Sequence, residues 1–281
     1  GFLADSYMNL SETLSDDDLE LLRLTPAAYL GSCRFKLPEN LSDSFYRVLF
    51  EKLERLDIGY FFYIGGNDSM DTVSKLSRYA AQIKSPIRFI GIPKTIDNDL
   101  WGTELTFGFQ SAIDIASTVI DSIHSTAFSH SRVFIVEVMG HKAGWLTLYA
   151  GIASGADVIV IPEIPYSAKK IAAAIEKRAK AGKRFSIIAV AEGAISQDEA
   201  KMSKKEFKAA REAMTYPSIS YRIADELNEL TGQEIRVTIP GHYQRGGAPC
   251  PADRVLTSRF GVAAAQLITQ KKFGYMVALQ V

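Results

Sequence analysis

The sequence predicts an α/β protein of two domains built on mainly parallel sheets. Short apolar segments such as Ile87–Ile92 and Val133–Val138 alternate with longer stretches of helical period, the pattern of βαβ units. At 281 residues the chain reaches the size at which single cores stop growing, so two domains are expected. Several strand-like segments also run straight into glycine or charged residues, as in Ile64-Gly65-Gly66, and the carboxyl ends of strands are where such sheets bind ligands.

Composition narrows the function. Apolar residues make up 47% and charged residues 23%, ordinary for a globular protein. The 32 basic and 32 acidic side chains cancel, so nothing draws the chain to nucleic acid or an anionic membrane. No apolar run reaches the ~18 residues that span a bilayer, and no signal peptide is visible. Cys33 and Cys250 lie far apart without metal-ligand spacing, which suits a soluble protein of the reducing cytoplasm.

The elements follow in order. Ser15-Asp16-Asp17-Asp18 opens a short capped helix, and Leu30–Phe35 is a turn presenting Arg34. Phe45, Val48, Leu49, Leu53 and Leu56 share a helical face, and Ile58–Ile64 reads as a buried strand. Gly65-Gly66-Asn67-Asp68-Ser69 then starts a helix to Ile83, with Val73, Leu76 and Ala80 inward. Strand, paired glycines and helix N-terminus let a backbone approach phosphate; a plain βα turn is the other reading. Strand Ile87–Ile92 leads into Pro93-Lys94-Thr95-Ile96-Asp97-Asn98-Asp99. A helix follows over Phe107–Phe128, then strand Val133–Val138, a helix beginning near Trp145, strand Val158–Ile161, helix Ala168–Ala181 and strand Phe185–Val190. Ser196–Tyr216 is polar and reads as a solvated helical insertion. A helix with Ile219, Ile223, Leu227 and Leu230 inward, strand Glu234–Ile239, helix Ala252–Gln270 and strand Tyr275–Val281 complete the chain.

The residues that bear chemistry gather at strand ends. Asp97 and Asp99 cannot both pair with Lys94, so one is left to take a proton or hold a metal beside an anion. The alternative is an Asx-type turn that satisfies local N–H groups. Glu192 ends an apolar strand, and burial without a partner is costly, which favours function. His242, as a core histidine or a ligand, and Arg245 follow the last internal strand. Arg132 and Arg236 sit at strand starts, the opposite end, where surface salt bridges compete with a role toward a neighbouring subunit. Cations of this kind suit phosphate. No HExxH, Cys cluster or Ser-His-Asp order is present, which leaves zinc and acyl-transfer chemistry without support.

Gly65-Gly-Asn-Asp-Ser, Pro93-Lys-Thr-Ile-Asp-Asn-Asp, Glu137-Val-Met-Gly-His, Ala191-Glu-Gly and Gly241-His-Tyr-Gln-Arg-Gly-Gly occur in that order. Together they resemble the phosphofructokinase family, specifically its pyrophosphate-dependent branch, over nearly the whole chain. The resemblance implies two Rossmann-like three-layer α/β/α domains with the active site in the cleft between them. Residues 1–108 plus 244–281 would take the phosphoryl donor, and 109–243 the sugar phosphate. It implies a magnesium-dependent, reversible transfer of phosphate from pyrophosphate to the 1-hydroxyl of fructose 6-phosphate, as in glycolysis. Asp97 would be the base, with Lys94 and Arg34 on the transferring phosphoryl group. Thr95, Asp99, Met139, Gly140, His141 and Glu192 would position the sugar, and His242 and Arg245 its 6-phosphate. Arg132 and Arg236 would come from the adjacent subunit of a homodimer or homotetramer. Gly65, Gly66, Asp68, Ser69 and Lys94 would meet the donor, and Asn67, Asp97 and Asp99 the magnesium.

ATP-using members of that family carry Gly where Asp68 and Lys94 stand. A carboxylate ~4 Å from a nucleotide's α-phosphate at an effective dielectric of ~20 is repelled by about 4 kcal/mol, up to roughly a thousandfold in affinity. Lys94 would instead grip the smaller donor, so the two residues exclude and attract. The chain departs from the family in several places. It lacks an opening strand with a G-G-x-x-P-G loop, which suggests a fragment, and its C-terminus stops early. Asn67 replaces a magnesium-holding Asp, and His141 replaces an Arg, giving a weaker phosphate contact. An ATP-dependent enzyme of the same fold and a non-catalytic subunit that binds sugar phosphate are the rival readings.

Overall fold

A computed structural model of the chain describes residues 7–22, 25, 28–32 and 35–280. Two compact units emerge: Gly1–Thr95, Leu100–Gly108 and Gly247–Val281 form the first, Ile96–Asp99 and Phe109–Gly246 the second. The expected boundaries placed 96–99 and 244–246 with the first domain; both segments pack with the second. Arg34 and Cys33 lie outside the described residues.

In the first unit, α1 (Leu10–Thr13) and α2 (Asp16–Leu21) are short and bury nothing; Ser15 and Asp18 cap α2 reciprocally. Helix α3 (Ser44–Arg55) starts where the Asp43 side chain accepts from Phe45 N. Its buried face is Tyr46, Leu49, Phe50 and Leu53, whereas Val48, expected inward, is exposed. Strand β1 (Tyr60–Gly65), helix α4 (Asn67–Gln82) and strand β2 (Arg88–Pro93) form one βαβ unit, with Tyr60 opposite Arg88 and Gly65 opposite Pro93. Alternation along β2 sends Phe89 into the α3–α4 core and Ile90 and Ile92 against α10 (Pro251–Thr269). The unit is therefore layered helix, sheet, helix.

Two strand expectations are corrected here. Strand β1 is not buried: Tyr60, Phe62 and Ile64 are exposed, because only its Phe61–Tyr63 face meets the α3–α4 core. Of the segment 275–281, the described residues 275–280 form no full strand. They touch the free edge of β2 through one parallel bridge, Gly91 to Met276, with Gly91 N donating to Tyr275 O and Val277 N to Gly91 O.

The second unit is a four-stranded parallel sheet in the order β4 (Val158–Val160), β5 (Ser186–Ala191), β3 (Val133–Val138), β6 (Ile235–Thr238). Strands β3 and β5 are buried at every position, the mark of parallel strands covered on both faces. Val133, Ile135, Ile188 and Val190 pack with α7 (Ala168–Lys180) and α9 (Ile219–Thr231). On the other face lie α5 (Phe109–His130) and α6 (Trp145–Ala153); a Cβ at Gly151 of α6 would meet Ile159 and Ala189. Leu230, expected inward, is exposed at the end of α9.

The polar insertion folds as a 3₁₀ turn (Glu199–Lys201) and helix α8 (Lys204–Glu212). Helix α8 buries nothing, but Glu199 is 5% exposed. Arg222 grips both Glu199 oxygens, at 2.8 and 2.7 Å, and Arg211 lies 2.9 Å from Oε1. The insertion is thus anchored by buried charge rather than wholly solvated. No helix of the described residues is long and apolar enough to cross a membrane.

Candidate functional site

Val138 and Ala191 are register partners at the ends of β3 and β5. The loops that follow, Met139-Gly140-His141 and Glu192-Gly193, therefore leave the sheet side by side. Glu192 N donates to Val138 O at 2.9 Å. Its side chain turns back across the first loop, where Oε1 accepts from Gly140 N at 3.2 Å and His141 N at 2.7 Å. Glu192 Oε2 has no partner among the described residues. This carboxylate fixes the bend and still presents an oxygen outward.

Two glycines permit that bend. Gly140 has φ 148°, which side chains rarely adopt. A Cβ at Gly193 would stand 2.0 Å from His141 O, an impossible contact with backbone. Gln244, buried at 1% exposure, completes the frame. It accepts from Met139 N at 3.2 Å and donates to Gly241 O at 3.1 Å. It thereby ties the 3₁₀ turn Gly241–Arg245, which carries exposed His242 and Arg245, to the β3 loop. Sequence reading missed Gln244, although it lies within the Gly241–Gly247 motif.

Asp97 is half-buried in the same unit. Burial raises its pKa above the ordinary carboxylate value, and the negative charges of Asp99 and Glu192 push the same way. Arg245 and His141 pull it back. Four other residues singled out in the sequence, Asp99, His141, Glu192 and Arg245, thus act electrostatically on Asp97. Such an arrangement suits a base that holds its proton unusually well among groups that handle an anion.

The first unit holds a second group. Gly66 is the N-cap of α4 and offers no side-chain cap, which leaves the helix head facing outward with its dipole. Lys94 N donates to Gly65 O at 2.8 Å, so the Lys94 backbone lies against the glycine turn while its side chain is exposed. Asp68, also in the first turn, lies 3.2 Å from Lys36 Nζ, both side chains being more than 70% exposed. Thr95 is buried, and its carbonyl accepts from Thr106 Oγ1 at 2.7 Å. Asn67 and Ser69 occupy the first turn of α4.

Arg132 and Arg236 are elsewhere, at the amino-terminal ends of β3 and β6, where both engage Glu234. Among the described residues no three His, Cys, Asp or Glu side chains form a metal-holding group. The pair Asp97 and Asp99 still fits magnesium, which is usually held by one or two carboxylates, water and substrate phosphate. Burial is the largest cause of the raised Asp97 pKa, and the negative charges of Asp99 and Glu192 that add to it are what a cation would relieve.

A family model described as phosphofructokinase matches residues 1–268. An "ATP-dependent 6-phosphofructokinase" of Spirochaeta thermophila is 49% identical over 233 residues, covering 83% of this chain and 62% of the relative. An "ATP-dependent 6-phosphofructokinase 3" of Bacteroides thetaiotaomicron is 40% identical over 273 residues, covering 96% of this chain and 74% of the relative. Among solved structures, a pyrophosphate-dependent phosphofructokinase from Marinobacter aquaeolei matches with a TM-score of 0.80 and 28% identity, covering 99% of this chain and 67% of that one. The chain thus spans about two thirds of the length of the proteins it matches.

Proposed function

The chain belongs to the phosphofructokinase family, and from that premise we propose that it transfers a phosphoryl group from pyrophosphate to the 1-hydroxyl of fructose 6-phosphate. The observation that carries the reading is Asp97, a carboxylate with raised proton affinity set among Asp99, Glu192, His141 and Arg245. Asp97 takes the proton of the attacking hydroxyl. Glu192 and the Met139–His141 bend hold the sugar, and His242 and Arg245 hold its 6-phosphate. Magnesium, held by Asp97 and Asp99 with help from Asn67, would neutralise charge on the transferring group. Thr95, Lys94 and Arg34 position that group, since such transfers depend on placement and charge more than on covalent steps.

Two copies are needed in this reading. The six residues of β3 span ~20 Å, which separates Arg132 from Met139 at the other end. Arg132 and Arg236 therefore serve a second copy's sugar phosphate, in a homodimer or homotetramer working in the cytoplasm.

The donor choice rests on Asp68 and Lys94 beside Gly65, Gly66 and Ser69. Asp68 is well exposed, so its repulsion of a nucleotide is nearer the bulk-water value of ~1 kcal/mol at ~4 Å, about fivefold in affinity. Lys36 offsets it further. That pair, together with the names of the relatives at 49% and 40% identity, favours ATP as the second reading. A steady-state assay with fructose 6-phosphate, Mg²⁺ and either donor decides. We expect turnover with pyrophosphate, and Asp68→Gly with Lys94→Gly to shift preference toward ATP by about tenfold. Turnover by the parent with ATP alone would hand the reading to that donor. No turnover with either supports a sugar-phosphate-binding subunit.

A further inference from the structure

Three charged side chains at the amino-terminal edge of the second sheet form a group of their own. Strands β3 and β6 pair in parallel with Phe134 opposite Arg236, which brings Arg132, just before β3, beside Arg236. Glu234 sits between the two. Arg132 Nε donates to its Oε2 at 2.7 Å, and Arg236 Nη2 donates to its Oε1. Two guanidinium groups therefore close on the two oxygens of one carboxylate. All three side chains reach water, at 31%, 53% and 49% exposure for Arg132, Arg236 and Glu234. No other hydrogen bond or ion pair of these three charged heads occurs among the described residues.

An exposed ion pair is weak, and this group keeps one positive charge in excess. A phosphate monoester is a dianion whose oxygens are spaced much like those of a carboxylate. It meets the same two forks with twice the charge, and arginine grips it through paired N–H bonds. We propose that Glu234 is an internal stand-in for a phosphate monoester. It holds both arginines at the spacing an anion needs, is displaced when the ligand's phosphate arrives, and so sets the affinity of the site by competition. The inference rests on the reading above, in which Arg132 and Arg236 take the sugar's phosphate.

The sign of one substitution separates competition from simple bracing. Glu234→Gln keeps the shape and removes the charge. Fructose 6-phosphate binding, measured on the full chain by isothermal titration calorimetry without a phosphoryl donor, should tighten by about 3- to 10-fold. Glu234→Ala should move in the same direction, and thermal melts check that both variants fold. Arg132→Ala and Arg236→Ala should each weaken binding at least tenfold. If the arginine variants weaken binding while Glu234→Gln leaves it unchanged or looser, Glu234 is a brace and the inference is overturned, with the functional reading intact. If neither arginine variant changes binding, the functional reading of this edge fails and the inference falls with it.

Discussion

Asp97 faces two like charges from a half-buried position, and that sets its behaviour with pH. Its folded pKa is raised, with burial the largest cause. The acid limb of kcat/KM should therefore lie above the range of an ordinary carboxylate, and Asp97→Asn should cost roughly 10²- to 10⁴-fold in kcat. The stability that a raised carboxyl group contributes is fully present below its unfolded pKa and is lost as pH rises through the folded value. Asp97→Asn should therefore melt higher than the parent at pH 7, and a lower melting temperature would refute the assignment. Asp97 and Glu192 are legible in sequence because each follows an apolar strand that predicts its own burial. Gln244 and Glu234 are not, because beside their near neighbours Gly241 and Arg236 each has a partner, Met139 or Arg132, that lies 105 or 102 residues away. Nothing local marks those distant pairings. Lys36 is hidden for the same reason, and its partner Asp68 looks unopposed until the fold is known.

At the level of elements, Glu199 shows what charge patterning leaves out. The insertion reads as solvated because its basic and acidic residues nearly balance, and α8 is indeed exposed. What the pattern does not reveal is that Glu199 turns inward between Arg211 and Arg222. Arg211 also donates to Ala194 O, two residues beyond Glu192. Burial alone would raise the Glu199 pKa, but the Arg222 hydrogen bonds, the Ser196 N–H and Arg211 outweigh it and hold the group at about 2. A depressed carboxylate contributes stability above its unfolded pKa and loses it as pH falls through the folded one. The second unit should therefore weaken between the ordinary glutamate range and pH of about 2. Glu199→Gln would leave half-buried Arg211 without its counter-charge and Arg222 with only Glu226, 3.5 Å away, a loss of about 3–5 kcal/mol near neutral pH. Urea unfolding at pH 7 and pH 3 checks both: the variant should be weaker at pH 7, with a smaller further drop at pH 3. An equal drop in the two proteins would remove Glu199 as the acid-sensitive group. The alternation of strands and helices is legible throughout, whereas the exposed face of β1 is not. Its run of apolar residues reads as two-sided burial, yet only one side meets a helix layer.

Across the whole molecule, chain order and spatial order disagree in the first unit. Strand β2 is complete by Pro93, but the segment on its open edge comes from residues 274–277, after the entire second unit has passed. The two units should therefore differ in their response to trimming. Removing residues 274–281 deletes the bonds from Gly274 N to Phe89 O, from Gly91 N to Tyr275 O, from Val277 N to Gly91 O, from Glu104 N to Leu279 O and from Leu279 N to Thr103 Oγ1. It also uncovers Ile90 and Ile92, which Val277 shields at 5% exposure. Five hydrogen bonds at about 1 kcal/mol each and one valine at ~1.5 kcal/mol or more sum to a loss of about 6–7 kcal/mol in the first unit alone. The chain's two tryptophans fall one in each unit, Trp101 and Trp145. In a Trp101→Phe background, fluorescence reports only the second unit while calorimetry reports both. Trimming should pull a calorimetric transition down in temperature and leave the Trp145 transition within a few degrees of its original value. A Trp145 transition that falls together with the calorimetric one would mean that the units unfold as a single cooperative body, and that the terminal segment supports both.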